Sequence, residues 1–300
     1  MSPAAGQEEQ LEWERRGGRV AGFSAVAAIA LFVFAGVYLA FALSQRPRNQ
    51  LERLQAAGRE STDYIVASAL QAIGFALFAV VLAYLYRATR HRRPQTPSAA
   101  LTLAVVGPAV LAVTVVVGAV IRAGAGRELS TGPPSRERAL VLLRDASPSW
   151  LEGLSLAGGI ALGLALVLIG LNAMRAGLLS RFMGVLAVVA AMFLALPFLG
   201  GPPTLLFFWI GAVGLLCLGR WPGGRGPAWD TGEAMPWPTP AQQREEVERR
   251  RAEREGGGAP PTVAGRGSEQ NGGAPDRGRE GASGPESTPG TPRRKRKRRG

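Results

Sequence analysis

Histidine, cysteine and lysine are nearly absent from this chain: His91 and Cys217 stand alone, and lysine occurs only as Lys295 and Lys297. A single cysteine excludes an intramolecular disulfide and any thiolate cluster. A single histidine excludes a Cys/His metal site and argues against a histidine-centred nucleophilic triad. Nucleotide chemistry lacks its usual support too. No Walker loop and no dinucleotide fingerprint occurs, because the glycine-rich pieces lie in apolar runs or near the C-terminus, where they cannot open a phosphate-binding helix after a strand. His91 falls in YRATRHRRPQTPS among Arg87, Arg90, Arg92 and Arg93, with no acid nearby in sequence, and reads as a solvated side chain. The chain is therefore read as a non-enzyme with no cofactor.

Charge is missing from long stretches, and that absence organises the rest. From Val20 to Leu43 no residue is charged. A bilayer core is about 30 Å thick and a helix rises about 1.5 Å per residue, so such a run can cross it. Five further runs follow, at about residues 64–86, 99–121, 151–174, 182–199 and 204–218. Hydrophobic residues make up 47% of the chain and are bunched in these runs rather than spaced as on a soluble amphipathic helix. The pattern predicts an all-α, polytopic transmembrane bundle of six spans. Its expected divisions are an N-terminal segment (1–18), the six-helix transmembrane domain (19–219), an interfacial strap and charged helix (220–255) and a disordered basic tail (256–300). The first run is much longer than the roughly 7–15 residues of a signal-peptide core, so it is expected to stay as an uncleaved helix.

The connections carry their own signals. In the polar loop 44–63, Leu51 and Leu54 are placed to share one face of a short interfacial helix, and RALVLLRD, residues 138–145, reads as a second one. Span, surface helix, span thus occurs at 20–86 and again at about 99–174, a faint parallel repeat. GGPP joins the last two runs as a helical hairpin. Beyond them Trp221, Trp229 and Trp237, in a Pro/Gly-rich frame, are expected as a strap along the headgroups with tryptophan anchors. Thr239-Pro240-Ala241-Gln242 then opens a solvated helix with Glu245–Arg249 and Glu246–Arg250 at i,i+4 spacing.

Candidate functional residues are few. Gln71 lies within an apolar run and needs a partner on another helix, and Pro108 is expected to kink the third span. Asp63 and Glu152 each open a span, where an acid is favoured by the helix dipole; they read as caps, or as a cation or proton relay at an outer mouth. Ser155, Gly159 and Gly163 recur every four residues, the spacing of a close helix–helix seam. Arg293, Arg294, Lys295, Arg296, Lys297, Arg298 and Arg299 form a basic run that suits anionic lipid. It has no interleaved aromatic residues to stack on bases, which disfavours nucleic acid. Arginines near the span ends favour the side carrying the N-terminus, so a plasma-membrane protein with both termini cytoplasmic is expected.

The segments SRFMGVLAVVAAMFLALPFLGGPP, FFWIGAVGLLCLGRWPGG and PAWDTGEAMPWP, with the opening GRVAGFSAVAAIALFVFAGVYL, resemble a family of multi-spanning membrane proteins of actinobacteria. The resemblance spans roughly residues 18–240 and implies a helical bundle in the plasma membrane. It implies no activity and transfers no functional residue. With few polar groups inside the apolar runs, the expectation is a non-catalytic scaffold or accessory protein, its protein partner unspecified; a small-solute transporter or channel is the alternative.

Overall fold

In hydrocarbon every backbone N–H and C=O must be satisfied within its own segment, and the uncharged runs meet that demand as helices. The computed structural model describes residues 3–43, 47, 49–131, 136–195, 204–222, 224–235, 237, 244, 245, 247–249, 251 and 252. Its elements are α1 (Pro3–Ala42), α2 (Gln50–Arg59), α3 (Ser61–Arg92), α4 (Ala99–Thr131), α5 (Arg136–Asp145), α6 (Ser149–Arg175), α7 (Arg181–Ala195), α8 (Thr204–Cys217) and α9 (Ala228–Thr231). Four of them, α1, α3, α4 and α6, are long and apolar enough to cross a membrane, and α7 and α8 are shorter apolar helices. Among the described residues there is no strand.

The six apolar helices form a ring in the order α1, α3, α4, α6, α7, α8, with α8 returning to α1 and with α3 and α6 touching across it. Small residues set the spacing. Ala21, Ala25, Ala28 and Ala35 make the buried face of α1, while Phe23 (66% exposed) and Phe41 (86% exposed) point outward. Large apolar side chains turned outward suit a helix whose solvent is lipid. On α4, a Cβ at Gly107 would lie 2.6 Å from the Leu162 backbone nitrogen, so α4 and α6 meet backbone to backbone there. The helix continues through Pro108.

Several elements exceed their predicted bounds. α1 begins well before Val20, and α3 and α4 run on to Arg92 and Thr131. The extra turns carry charged residues and glycines and contact neighbouring elements, as Arg92 does Glu14 and Gly126 does Gly58. The ten-residue helix α2 is also not a lipid-facing helix. It buries Leu54, Ala56, Ala57 and Gly58, and a Cβ at Gly58 would meet the Gly126 backbone of α4 at 2.2 Å. Leu54 packs with Leu142 and Ala146, so α2 and α5 share a small apolar cluster beside the end of α4.

The main core lies in one half of the ring. Phe78, Leu82 and Leu85 of α3, Leu162, Leu166 and Ile169 of α6, Met183 of α7 and Trp209, Ile210 and Leu216 of α8 are fully buried. Trp209 donates its indole N–H to the Met183 carbonyl at 3.0 Å, which satisfies a polar atom inside this packing.

This half is closed by Arg92. Its guanidinium donates to Glu14 Oε1 at 2.5 Å and Oε2 at 2.8 Å, to the Ala88 carbonyl at 3.0 Å and to the Ala228 carbonyl at 2.7 and 3.1 Å. The two side chains are 0% and 3% exposed. The loop 87–98 is thus not a wholly solvated basic loop: one of its arginines is buried, and its acid comes from α1, 78 positions earlier. Trp13 stacks on Tyr84 and Tyr84 on Trp229, and the Tyr84 hydroxyl donates to the Glu14 carbonyl at 2.9 Å. Trp229 is only 6% exposed and donates to the Leu178 carbonyl at 3.0 Å, so it belongs to the closing layer rather than to a headgroup strap. Arg225 caps the carbonyls of Leu216 and Cys217 at the end of α8, turning the chain back over the bundle. Gly177, at φ 80°, lets the α6–α7 turn pass under it, since a Cβ there would strike the Met235 carbonyl at 1.7 Å.

Glu245 to Gly300 form a separate unit. Within it Glu245, Val247, Glu248, Arg249, Arg251 and Ala252 are helical and exposed. The basic run Arg293–Arg299 and the GGPP hairpin lie outside the described residues.

Removing one member of a buried ion pair leaves the other charge unmatched, typically at about 3–5 kcal/mol. Arg92→Met is therefore expected to lower the unfolding midpoint in detergent sharply, and the double variant Glu14→Leu/Arg92→Met to recover a large part of that loss. Equal stability of Arg92→Met and the parent chain would show that the pair is not structural.

Candidate functional site

Away from the Arg92 layer, at the end of the ring that carries α2 and α5, the core gives way to open space. Here α3 contributes residues before Phe78, α4 residues after Pro108 and α6 its first turns. One cavity of about 480 Å³ is lined by Arg53 of α2, Tyr64, Ser68 and Gln71 of α3 and Val115 and Arg122 of α4, among others. A second, of about 560 Å³, is lined by Phe75, Thr114, Glu152, Ser155, Gly159 and Leu194. Gln71, Val115, Arg122, Ala146 and Ser147 line both, so the two are compartments of one cleft. Each is within the size range of small-molecule sites.

The lining is mixed by construction. Ser68 and Thr114 turn their hydroxyls back onto their own helices, to the carbonyls of Ile65 at 2.7 Å and Leu111 at 3.0 Å, which satisfies those donors. Gln71 has no such backbone partner among the described residues and presents its amide to the shared wall. Arg122 follows the uncharged run of α4 and folds back along it, with a terminal nitrogen 3.1 Å from where a Cβ of Gly118 would stand. The missing side chain at Gly118 makes that path available. Arg53 approaches from α2; it and Arg122 both act electrostatically on the Tyr64 phenol, as does Glu60. Neither arginine forms an ion pair among the described residues, and the first cavity is lined by no acid.

The sequence-predicted residues separate on this frame. Gln71, Glu152, Ser155 and Gly159 come together around the second cavity. Asp63 lines neither cavity; it accepts a hydrogen bond from the Tyr38 hydroxyl at 2.6 Å and so ties the end of α1 to the start of α3. Gly159 and Gly163 face α7, where a Cβ would lie 2.8 Å from the Leu194 carbonyl oxygen and 3.0 Å from that of Ala191. Ser155 is exposed and lines the cleft instead of that seam. Arg53, Arg122, Tyr64 and Thr114 escaped the sequence reading. The one available signal was Arg122, the first charge after an apolar run.

At Gly163 even a methyl group presses on a backbone oxygen, whereas Ser155 borders open space. Gly163→Leu is expected to cost about 1–3 kcal/mol or to prevent assembly, and Ser155→Leu to stay within about 0.5 kcal/mol of the parent. Thermal unfolding of both variants in the same detergent checks the contrast.

The model of a protein family described as a domain of unknown function, DUF4386, matches residues 20–221, about two thirds of the chain. The matched residues hold the whole cleft and Arg92 but neither Glu14 nor Trp229. No curated protein and no solved structure matches the chain.

Proposed function

The chain belongs to the DUF4386 family, and we propose that it is a non-catalytic accessory protein of the plasma membrane that holds a ligand in a cleft open at one end only. In this reading α1, α3, α4, α6, α7 and α8 all cross the membrane, both termini are cytoplasmic, the Arg92 layer faces the cytoplasm and the cleft faces outward. The observation that carries it is the division of the ring: a half-polar cleft beside Gln71 in one half, and fully buried Phe78, Leu82, Leu166 and Trp209 in the other, with a shallow pocket beyond them lined by Gln10, Trp13, Tyr86 and Arg90. In this reading a ligand enters that space and stops at the buried side chains of the other half. Among the described residues, the groups around the cleft also include no coupled nucleophile, base and orienting residue. The cleft has polar walls that a small-solute transporter could use, but that reading needs the packed half to open.

Thiol accessibility tests this in whole cells, in a Cys217→Ala background. Gln71→Cys is expected to react with a small membrane-impermeant thiol reagent added outside, and Leu82→Cys to react from neither side. A reporter active only in the cytoplasm, fused after Gly300, is expected to give signal. Labelling of both cysteines would mean a continuous aqueous path and would favour the transporter or channel; labelling of neither would remove the cleft.

A further inference from the structure

We propose that the cavity between α2, α3 and α4 binds an anionic lipid, its phosphate held between Arg53 and Arg122 and an acyl chain laid against Leu39, Val115 and Ala119. The inference rests on the one-ended cleft and names what enters it. Three observations converge. This compartment is lined by Arg53 and Arg122 and by no acid, and with Glu152 in the adjoining one the cleft keeps an excess of positive charge, which is complementary to an anion. Guanidinium geometry suits phosphate oxygens, which a fork of N–H donors can engage in pairs. Beside Gln50, Tyr64, Ser68, Gln71 and Ser147, the wall has an apolar part: Leu39 comes from the end of α1, Leu54 and Leu143 from the two short helices, and Val115 and Ala119 from α4. A soluble anion would leave that surface without a partner, whereas an amphiphile covers both parts at once.

The position of the cavity favours the same occupant. Arg122 follows the uncharged run of α4, and Tyr64, which lines the same cavity, stands at the start of the apolar run of α3. This is the level at which lipid phosphates lie when these helices span a bilayer. Leu39, Val115 and Ala119 give an acyl chain its apolar path along the cavity. Arg122 reaches the cavity only because Gly118 leaves room beside it, and α2 brings Arg53 there only because Gly58 seats that helix against Gly126. Two glycine contacts with no catalytic meaning thus place on one cavity two cations that form no ion pair among the described residues.

The test is titration of the purified full chain in a mild non-ionic detergent with short-chain phosphatidylglycerol, short-chain phosphatidylcholine and glycerol phosphate. The parent chain should bind phosphatidylglycerol and neither of the others at the same concentration. Arg53→Gln/Arg122→Gln should bind phosphatidylglycerol about thirtyfold more weakly, roughly fivefold for each cation removed. That variant keeps the basic run Arg293–Arg299, so a tail-driven interaction would be unchanged in it and would overturn the proposal. Ala119→Phe, which fills the apolar wall and retains both arginines, should also lose binding; it keeps the test decisive if the arginine variant does not fold. Equal binding of phosphatidylcholine would show a general lipid contact. Binding of glycerol phosphate as tightly as phosphatidylglycerol would show a soluble-anion site, and either result contradicts the assignment. If Gln71→Cys is labelled from outside while phosphatidylglycerol does not bind, the cleft stands and its lipid occupant falls.

Discussion

The arrangement depends on how a buried arginine is satisfied. A guanidinium has five N–H donors and no acceptor, and taking it out of water is affordable only when all five are engaged. Arg92 meets that requirement with two carboxylate oxygens from α1, a carbonyl of its own helix and a carbonyl of α9. Three segments far apart in sequence are therefore held at one point. The stacked rings of Trp13, Tyr84 and Trp229 close over the same point. Close packing of this end follows, because the helices that supply those groups cannot separate without exposing a buried charge.

The opposite end has no equivalent. Its interhelical links include the Tyr38–Asp63 hydrogen bond, the Arg138–Glu128 pair between α5 and α4, and the close glycine contacts of α2 with α4 and of α6 with α7. These fix the walls of the cleft without filling it. The large side chains that fill the other half, such as Phe78 and Trp209, have smaller or polar counterparts here in Ser68, Gln71 and Thr114. A bundle anchored at one end and lined with small and polar side chains at the other is the frame on which the proposed binding role rests.

Much of this frame is legible in the sequence. The six apolar runs, the two short helices between them and the small-residue face of α6 can be read from charge and periodicity alone. What escapes is whatever depends on partners distant in the chain. Arg92 looks like one of four solvated arginines because its acid lies on α1, and Trp229 looks like a membrane anchor because its partner carbonyl belongs to Leu178. Local patterns likewise give α2 an apolar face but not the neighbour that buries it: Leu51 and Leu54 suggest a lipid surface, whereas Gly58 seats the helix on α4. The cleft was invisible for the same reason, since Arg53 and Arg122 are ordinary loop-flanking arginines until the fold brings them to one cavity.

The most direct measurement is hydrogen–deuterium exchange along α3 in the intact chain, since this helix runs from the cleft to the Arg92 layer. Amides of residues 64–72 are predicted to exchange at least about tenfold faster than those of 80–88, because opening is easier where few apolar contacts resist it. Uniform protection along the helix, or faster exchange near Arg92, would contradict a bundle locked at one end and open at the other.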